Sequence, residues 1–427
     1  MITKIALPWC LTLAIMVTAC AGAGTSAASR LPGPSAAGAT PTLTSAPATS
    51  GCRSSSTPAP VPPGASPQPA TGLTVPTGLR VQKIAHIADG PRELAFAPNG
   101  DLFVGTDRSN VYIISNAEAA PAAPRIFATV NDAPAAGVTV SMQNCSIYVG
   151  TQFGVYQTPY NVGDVTARTL KKIASVRPGG SGDHSTTSVA VSGTTLYASV
   201  GSSCNACTES DPTRATIEQM HLDGSAMTPK AIHIRNAIGI SVNPGSGALW
   251  AGDAGQDSLP AGHPYEFFDD VSAHAGVADY GWPRCEENHL AYQAGANCSS
   301  EVAPRVEFPA YETIIGTTFY EPPAAAAHAL PSAYRGGAFV AMRGSWHTNA
   351  SGIAVAPPFV AFVPMSGDSP KTAVNWKTPT TQWSAFLTGF QSANGSRIGR
   401  PTGVAVGPQG SLFVADDQSG FIYRIRP

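Results

Sequence analysis

An all-β fold, a six-bladed β-propeller, follows from three features of the sequence. Gly (43) and Pro (38) are abundant while charged residues make up only 12% of the 427, a balance that favours turn-rich β structure over helix. One layout recurs from residue 93 onward: an alternating apolar strand, a short turn, then a second strand ending in small or polar residues. It appears in Glu93-LAFAPNGDLFVGT, Val138-TVSMQNCSIYVGT, Ser188-VAVSGTTLYASV, Gly239-ISVNPGSGALWAG and Gly403-VAVGPQGSLFVAD. Copies begin about 45 to 50 residues apart except between 239 and 403, where a degraded sixth, Tyr334-RGGAFVAMRGSW, follows a long insertion. That period suits a blade of four short strands. Third, Leu79-RVQKIAHI reads as a strand ahead of the first copy; supplying the outer strand of the last blade, it would close the ring and leave no long open edge. A pair of packed sheets would not predict six related hairpins.

Ahead of the propeller the chain reads differently. Residues 1–20, MITKIALPWCLTLAIMVTAC, carry Lys4, an apolar run and small residues before Cys20, the pattern of an export signal too short to span a membrane. Val17-Thr18-Ala19-Cys20 is similar to a bacterial lipobox, which would make Cys20 the lipidated first residue of a chain held in the periplasm or cell envelope by a lipid anchor; cleavage near Ala21 to Ala23 is the alternative. Residues 21–75 are Ala, Ser, Thr, Pro and Gly with almost no charge. Such a segment buries too little to offset its ordering entropy and is expected to be a disordered linker, with Cys52 lacking an evident partner. The folded domain is then 76–427.

Charge excludes one class of partner. Lys plus Arg (25) nearly balances Asp plus Glu (27), the net charge is −2, and no basic stripe exists, so nucleic acid is not expected. The strongly polar residues instead sit before the hairpins: Asp183-His184 before the third, Arg235-Asn236 before the fourth, Arg400 before the sixth, with Arg343 and Trp346 in the fifth. An unpaired charge at the start of a buried strand costs several kcal/mol, as a rough estimate, so Arg235 needs a partner. In a propeller these starts gather at one end of the channel and make a pocket. Taken singly, an Asp-His pair stabilises a turn, Arg400 caps a carbonyl and Trp346 packs in a core; in register, they point to a ligand.

The phrases SGDHSTTSVAV, LYASVGSSCNAC, IRNAIGISVNPGSGALWAGDAGQD, DYGWPRC, GGAFVAMRGSW and GRPTGVAVGPQGSLFVADD occur in order over most of 80–427. The set resembles the glucose/sorbosone dehydrogenase family, six-bladed propellers that use pyrroloquinoline quinone (PQQ). The resemblance implies oxidation of an aldose or sugar-derived aldehyde, with electrons passed to an external acceptor. His184 would be the general base and Asp183 its orienting partner. Arg235, Asn236, Arg343, Trp346 and Arg400 would hold the tricarboxylate cofactor. A calcium ion would be held by carbonyls of Gly255, Gln256 and Tyr280 and a carboxylate of Glu286 or Glu287, Glu287 being the chosen ligand; a solvated loop is the other reading of that acidic pair. Two departures stand out. The family's second-blade glutamine is absent from Asn131-DAPAAGV, and its second late arginine is Thr402 here. These fit the sorbosone-type branch, or a scaffold propeller that has lost the cofactor.

Six cysteines remain after Cys10 and Cys20. In an exported chain, Cys285 with Cys298 and Cys204 with Cys207 are the expected disulfides, and Cys145, read as mid-strand, is expected to be a buried free thiol. Without a second ligand pair the lone CxxC is not a metal motif, and without CxxCH the chain carries no c-type haem.

Overall fold

The computed structural model describes residue 52 and residues 62–177, 180, 182–260 and 262–427. The expected signal peptide, Cys20 and the greater part of the linker lie outside the described residues. Six antiparallel four-stranded blades account for nearly all the regular structure. Their first strands are Pro91–Phe96, Gly137–Ser141, Val189–Ser192, Gly239–Val242, Ile314–Phe319 and Pro401–Val406. These six line a central channel. The second strands, such as Leu102–Thr106, Ser146–Thr151 and Leu412–Asp416, are buried along their whole length. Each is covered on both faces by neighbouring blades, which is why they read as continuous apolar runs and not as alternation.

The core is divided accordingly. Six apolar clusters fill the six interfaces between blades: Phe103 and Phe127 meet Val138 and Val149 between blades 1 and 2, and Trp250 and Phe268 meet Val340 and Phe359 between blades 4 and 5. The last interface joins Phe413 and Ile422 to Leu94 and Val104, so apolar burial itself holds the ring shut. The small residue near the end of the second strands has a steric cause. A Cβ at Gly105 would collide with the Ala136 carbonyl of the next blade.

Ring closure is as expected: Arg80–His86 pairs with Phe421–Arg426 as the fourth strand of blade 6. Thr402, where the resemblance called for an arginine, is fully buried and its Oγ1 donates to the Pro91 carbonyl at 2.8 Å, tying the sixth blade to the first.

Three expectations need correction. The folded unit starts before residue 76, since Gln68–Pro69 adds a short strand outside Arg80–His86 and Thr74 pairs with Thr388. Backbone pairing, which composition does not report, orders this stretch. Cys145 is neither mid-strand nor free. It ends a turn at φ +52° and is disulfide-bonded to Cys52, 93 residues away. The fifth hairpin also differs: Ala338–Met342 is its second strand, and the first is Ile314–Phe319. The long insertion belongs chiefly to blade 4. It leaves after Glu266–Asp270, lays Ala278–Asp279 along the outer edge of blade 3, forms the Cys285–Cys298 disulfide, and returns as Val306–Phe308.

Candidate active site

The channel carries a cavity at each end, and the two ends differ. One holds a cavity of about 390 Å³ lined by apolar first-strand residues with the buried carboxyl of Glu93, which burial pushes up to about 8. The other, where first strands begin, holds a cavity of about 300 Å³ lined by Arg92, Asp183, His184, Arg235, Asn236, Arg343, Trp346 and His347. The larger space has two carboxyls, Glu93 and Glu321, in its lining; the smaller gathers nearly all the chemistry.

His184 is placed by the turn leading into Val189–Ser192. Its Nδ1 lies 3.0 Å from the Ser202 carbonyl and 2.9 Å from Ser202 Oγ, whose own proton is donated to the Cys204 carbonyl at 2.7 Å. A carbonyl only accepts, so Nδ1 carries the ring proton and Nε2 keeps a free lone pair. Burial, then the Arg235 charge, pushes this imidazole down to about 3. It is a neutral base at physiological pH. Gly201 makes the arrangement possible, because a Cβ there would strike both Asn236 Oδ1 and the His184 side chain.

Asp183 does not orient the histidine. It is exposed, and among the described residues its backbone N–H alone is engaged, by Ser203 O at 3.1 Å; adjacent residues in an extended turn point apart, and Ser202 takes the orienting role. Arg235 is also more committed than a cofactor clamp would be. Its guanidinium donates to Asn205 O (3.1 Å), Ala254 O (2.9 Å) and Asn205 Oδ1 (2.9 Å), and lies 3.5 Å from Asp257 Oδ2. That answers the question of its partner: protein oxygens hold it, and it serves the cavity as a fixed positive charge. Asn236 is anchored by its N–H on Asp253 Oδ1 at 2.6 Å. Among the described residues Arg343 uses only Nε, on Asp417 Oδ2 at 2.7 Å. Arg92 shares that carboxylate at 3.2 Å and keeps a buried Nε without a partner. Arg400 is not in the cavity lining; it donates to the carbonyls of Arg343 and Gly344 and so supports the Arg343 turn. Trp346 is no core residue: it is 69% exposed and stacks on His347 at 3.9 Å. His347 in turn packs on Tyr311 at 4.4 Å and pairs with Asp257 at 2.7 Å.

Two residues found only in the structure had a signal in the sequence. Arg92 precedes the first hairpin as Arg235 precedes the fourth, and His347 follows Trp346. Asn205, Asp257 and Ser202 had none, since their importance lies in contacts across loops.

A family model described as TrAA12-like matches residues 73–289 and 285–427. The chain belongs to the TrAA12-like family. A curated relative, an uncharacterised protein of Borreliella burgdorferi, is 22% identical over 372 residues, 83% of this chain and 90% of that one. Among solved structures, the holo form of the pyranose dehydrogenase PQQ domain from Coprinopsis cinerea superposes with a TM-score of 0.69 at 19% identity, covering 86% of this chain and 100% of that one. The calcium structure of the Trichoderma reesei family AA12 enzyme gives 0.66 at 18%, covering 87% and 99%. The PQQ-bound aldose sugar dehydrogenase of Streptomyces coelicolor gives 0.56 at 16%, covering 83% and 99%. These likenesses establish a shared propeller fold, the one the glucose/sorbosone dehydrogenase resemblance implied.

Behind Arg235 this TrAA12-like chain carries a second concentration of charge. Asp253, Glu266 and Glu307 are buried and Glu286 is half-buried near them; burial pushes Asp253 up to about 7 and holds the other three well above the carboxylate range, with each raised further by acidic neighbours except Asp253. Both oxygens of Glu307 and Oε1 of Glu286 are buried without a partner. This oxygen-only, acidic and under-satisfied group has the donor chemistry of a hard divalent cation site, although among the described residues no three of its carboxylates converge to within 4.8 Å of one another. Glu287, the expected ligand, fits less well: its Oε1 already accepts from His263 Nδ1, Tyr265 N and Tyr292 Oη at 2.8–2.9 Å. Nor is the pair a solvated loop, as Glu287 is buried. Gln256 and Tyr280 are buried beside this region, Tyr280 donating its hydroxyl to Asp269 at 2.8 Å, while Gly255 lines the cavity.

Proposed function

We propose that this chain is a PQQ-dependent oxidoreductase that oxidises an aldose or sugar-derived aldehyde of the sorbosone type and passes electrons to an external acceptor. The observation that carries the reading is His184: a neutral imidazole with a bare Nε2, fixed at the wall of a cavity shared with Arg92, Arg235 and Arg343. Nε2 takes the proton of the sugar's anomeric hydroxyl, or of an aldehyde hydrate. PQQ, when bound, supplies a two-electron acceptor for the hydride leaving the same carbon. Arg343 and Arg92 offer the free N–H groups for carboxylates, Arg235 and Asn236 hold positive potential where negative charge develops, and exposed Trp346 gives a sugar ring a face to rest on. A calcium ion would be held chiefly by Glu286 and Glu307, with carbonyls of Gly255, Gln256 and Tyr280, and would neutralise the buried acids. The lipid anchor at Cys20 in the cell envelope belongs to the same reading, since sugar oxidation with an external acceptor suits an exported chain.

A non-catalytic scaffold is the second reading, and the protein-committed Arg235 and displaced Arg400 favour it. An absorbance titration of the purified, calcium-loaded protein with PQQ separates the two. Saturable binding at micromolar protein supports the quinoprotein, and none supports the scaffold.

A further inference from the structure

Both sides of the cavity lean on one four-residue turn, Cys204-Asn205-Ala206-Cys207, whose cysteines are disulfide-bonded. On one side, the Cys204 carbonyl accepts from Ser202 Oγ at 2.7 Å, and that hydroxyl faces His184 Nδ1 at 2.9 Å. On the other, Asn205 makes five hydrogen bonds. Its carbonyl accepts from Arg235 Nε (3.1 Å) and Trp282 Nε1 (3.2 Å). Its side-chain oxygen accepts from Arg235 Nη2 (2.9 Å) and Asp257 N (2.7 Å), and its Nδ2 donates to Asp257 O (2.9 Å). Asp257 then holds His347. One residue inside a disulfide ring thus holds a buried cation of the cavity and the backbone of Asp257, whose carboxylate pairs with His347.

The ring is poorly suited to a global role. Stabilisation by a disulfide grows with the loop it closes, and this one spans 3 residues where the others span 13 and 93. It is also within reach of solvent. Both cysteines are half-buried, and Cys207 borders a separate cavity of about 210 Å³ beside Glu209, Arg214 and Trp282. A short, reachable disulfide with a hub residue inside it is placed to act locally.

We propose that the Cys204–Cys207 disulfide is a redox-sensitive clamp in which Asn205 is the positioning residue for Arg235 and Asp257. A small dithiol opens it: the S–S bond takes two electrons and two protons to give two thiols, and the dithiol is oxidised to its own disulfide. Freed of the ring, Asn205 samples other backbone conformations, Arg235 and Asp257 lose their shared anchor, and the cavity holds an anionic cofactor less well. The effect on cofactor rests on the function proposed above; the clamp does not.

The test compares oxidised wild type, C204S/C207S and N205A, all with the other disulfides intact. Amide hydrogen exchange without added cofactor is expected to quicken in 201–209 and also in 253–258 in both variants, with blade 6 unchanged and the unfolding midpoint of C204S/C207S little moved. Faster exchange confined to 203–208 overturns the clamp. PQQ titration is expected to give a Kd raised roughly tenfold or more in both variants, as for loss of hydrogen bonds to a charged group; an unchanged Kd beside tight wild-type binding overturns it as well. If wild type binds no PQQ, the function reading fails while the exchange data still decide the clamp.

Discussion

His184 is the residue on which the proposed chemistry turns, and its surroundings make a measurable demand. Because Ser202 fixes the ring proton on Nδ1 and burial keeps the imidazole neutral down to about pH 3, protonation of His184 contributes no acid limb to the rate between pH 5 and 8. A pH–rate profile with a limb near 6.5 would contradict this placement. Among the described residues Arg343 leaves both terminal amino groups of its guanidinium unengaged, so R343A is expected to weaken PQQ binding about ten- to a hundredfold, the loss of about 1.5–3 kcal/mol in charged hydrogen bonds, whereas R400A acts only through the Arg343 turn and weakens it less. Equal effects in a binding titration would mean that Arg400 reaches the cofactor. W346A should raise KM about three- to tenfold with kcat held, as expected for an aromatic contact of about 0.5–1.5 kcal/mol; steady-state kinetics decide. The polar residues ahead of the hairpins were visible in the sequence because propeller symmetry sends all strand starts to one rim. What each one does was not. Asp183 and Arg400 lie in the right register, yet one faces solvent and the other supports a turn, because register fixes a backbone position and leaves side-chain direction to local packing.

Among the elements, the second strands were the most legible, since burial on both faces gives LFVGT, SIYVGT and LFVAD the same apolar stamp. Outer strands such as Arg125–Thr129 and Lys171–Ser175 are partly exposed and carry no shared pattern. Ile314–Phe319 was missed for another reason: 18 residues separate it from its partner Ala338–Met342, so no turn marks the hairpin. The Cys52–Cys145 bridge was beyond sequence reasoning because contact order, not spacing, brings its ends together. It closes the longest loop of the three, and C145S is expected to cost about 2–4 kcal/mol of stability in denaturant unfolding. A change under 0.5 kcal/mol would mean that the bridge restrains little of the unfolded chain.

The whole ring carries opposed titrations that set how stability follows pH. Glu93 and Glu312, each pushed up to about 8 by burial, and Asp253, at about 7, bind protons in the folded state that the unfolded chain has released. Their contribution is full below about pH 4.5 and is lost as pH rises through 7 to 8. His184 acts in the other direction: its folded value is depressed, so its contribution is present above about pH 6.5 and is lost as pH falls toward 3. Above about pH 4.5 three carboxyls lose stability for one histidine that gains it, so the metal-free protein is expected to melt highest near about pH 4 to 4.5 and lower at pH 8. Calcium should raise the melting temperature more at pH 8 than at pH 5, because ionised carboxylates bind it and protonated ones must first release their protons. Melting curves with calcium and with chelator at both pH values test this; equal shifts would place the ion away from the buried acids. The proposed oxidation of sugars in the cavity at the strand-start end of the channel, with His184 as base, is tested most directly by adding aldoses and sugar aldehydes to the PQQ- and calcium-loaded protein and following bleaching of an artificial electron acceptor, beside H184A. The account predicts substrate-dependent bleaching in wild type and a kcat lower by about 10²–10⁴ in H184A with PQQ binding kept. Equal rates in the two proteins would contradict it.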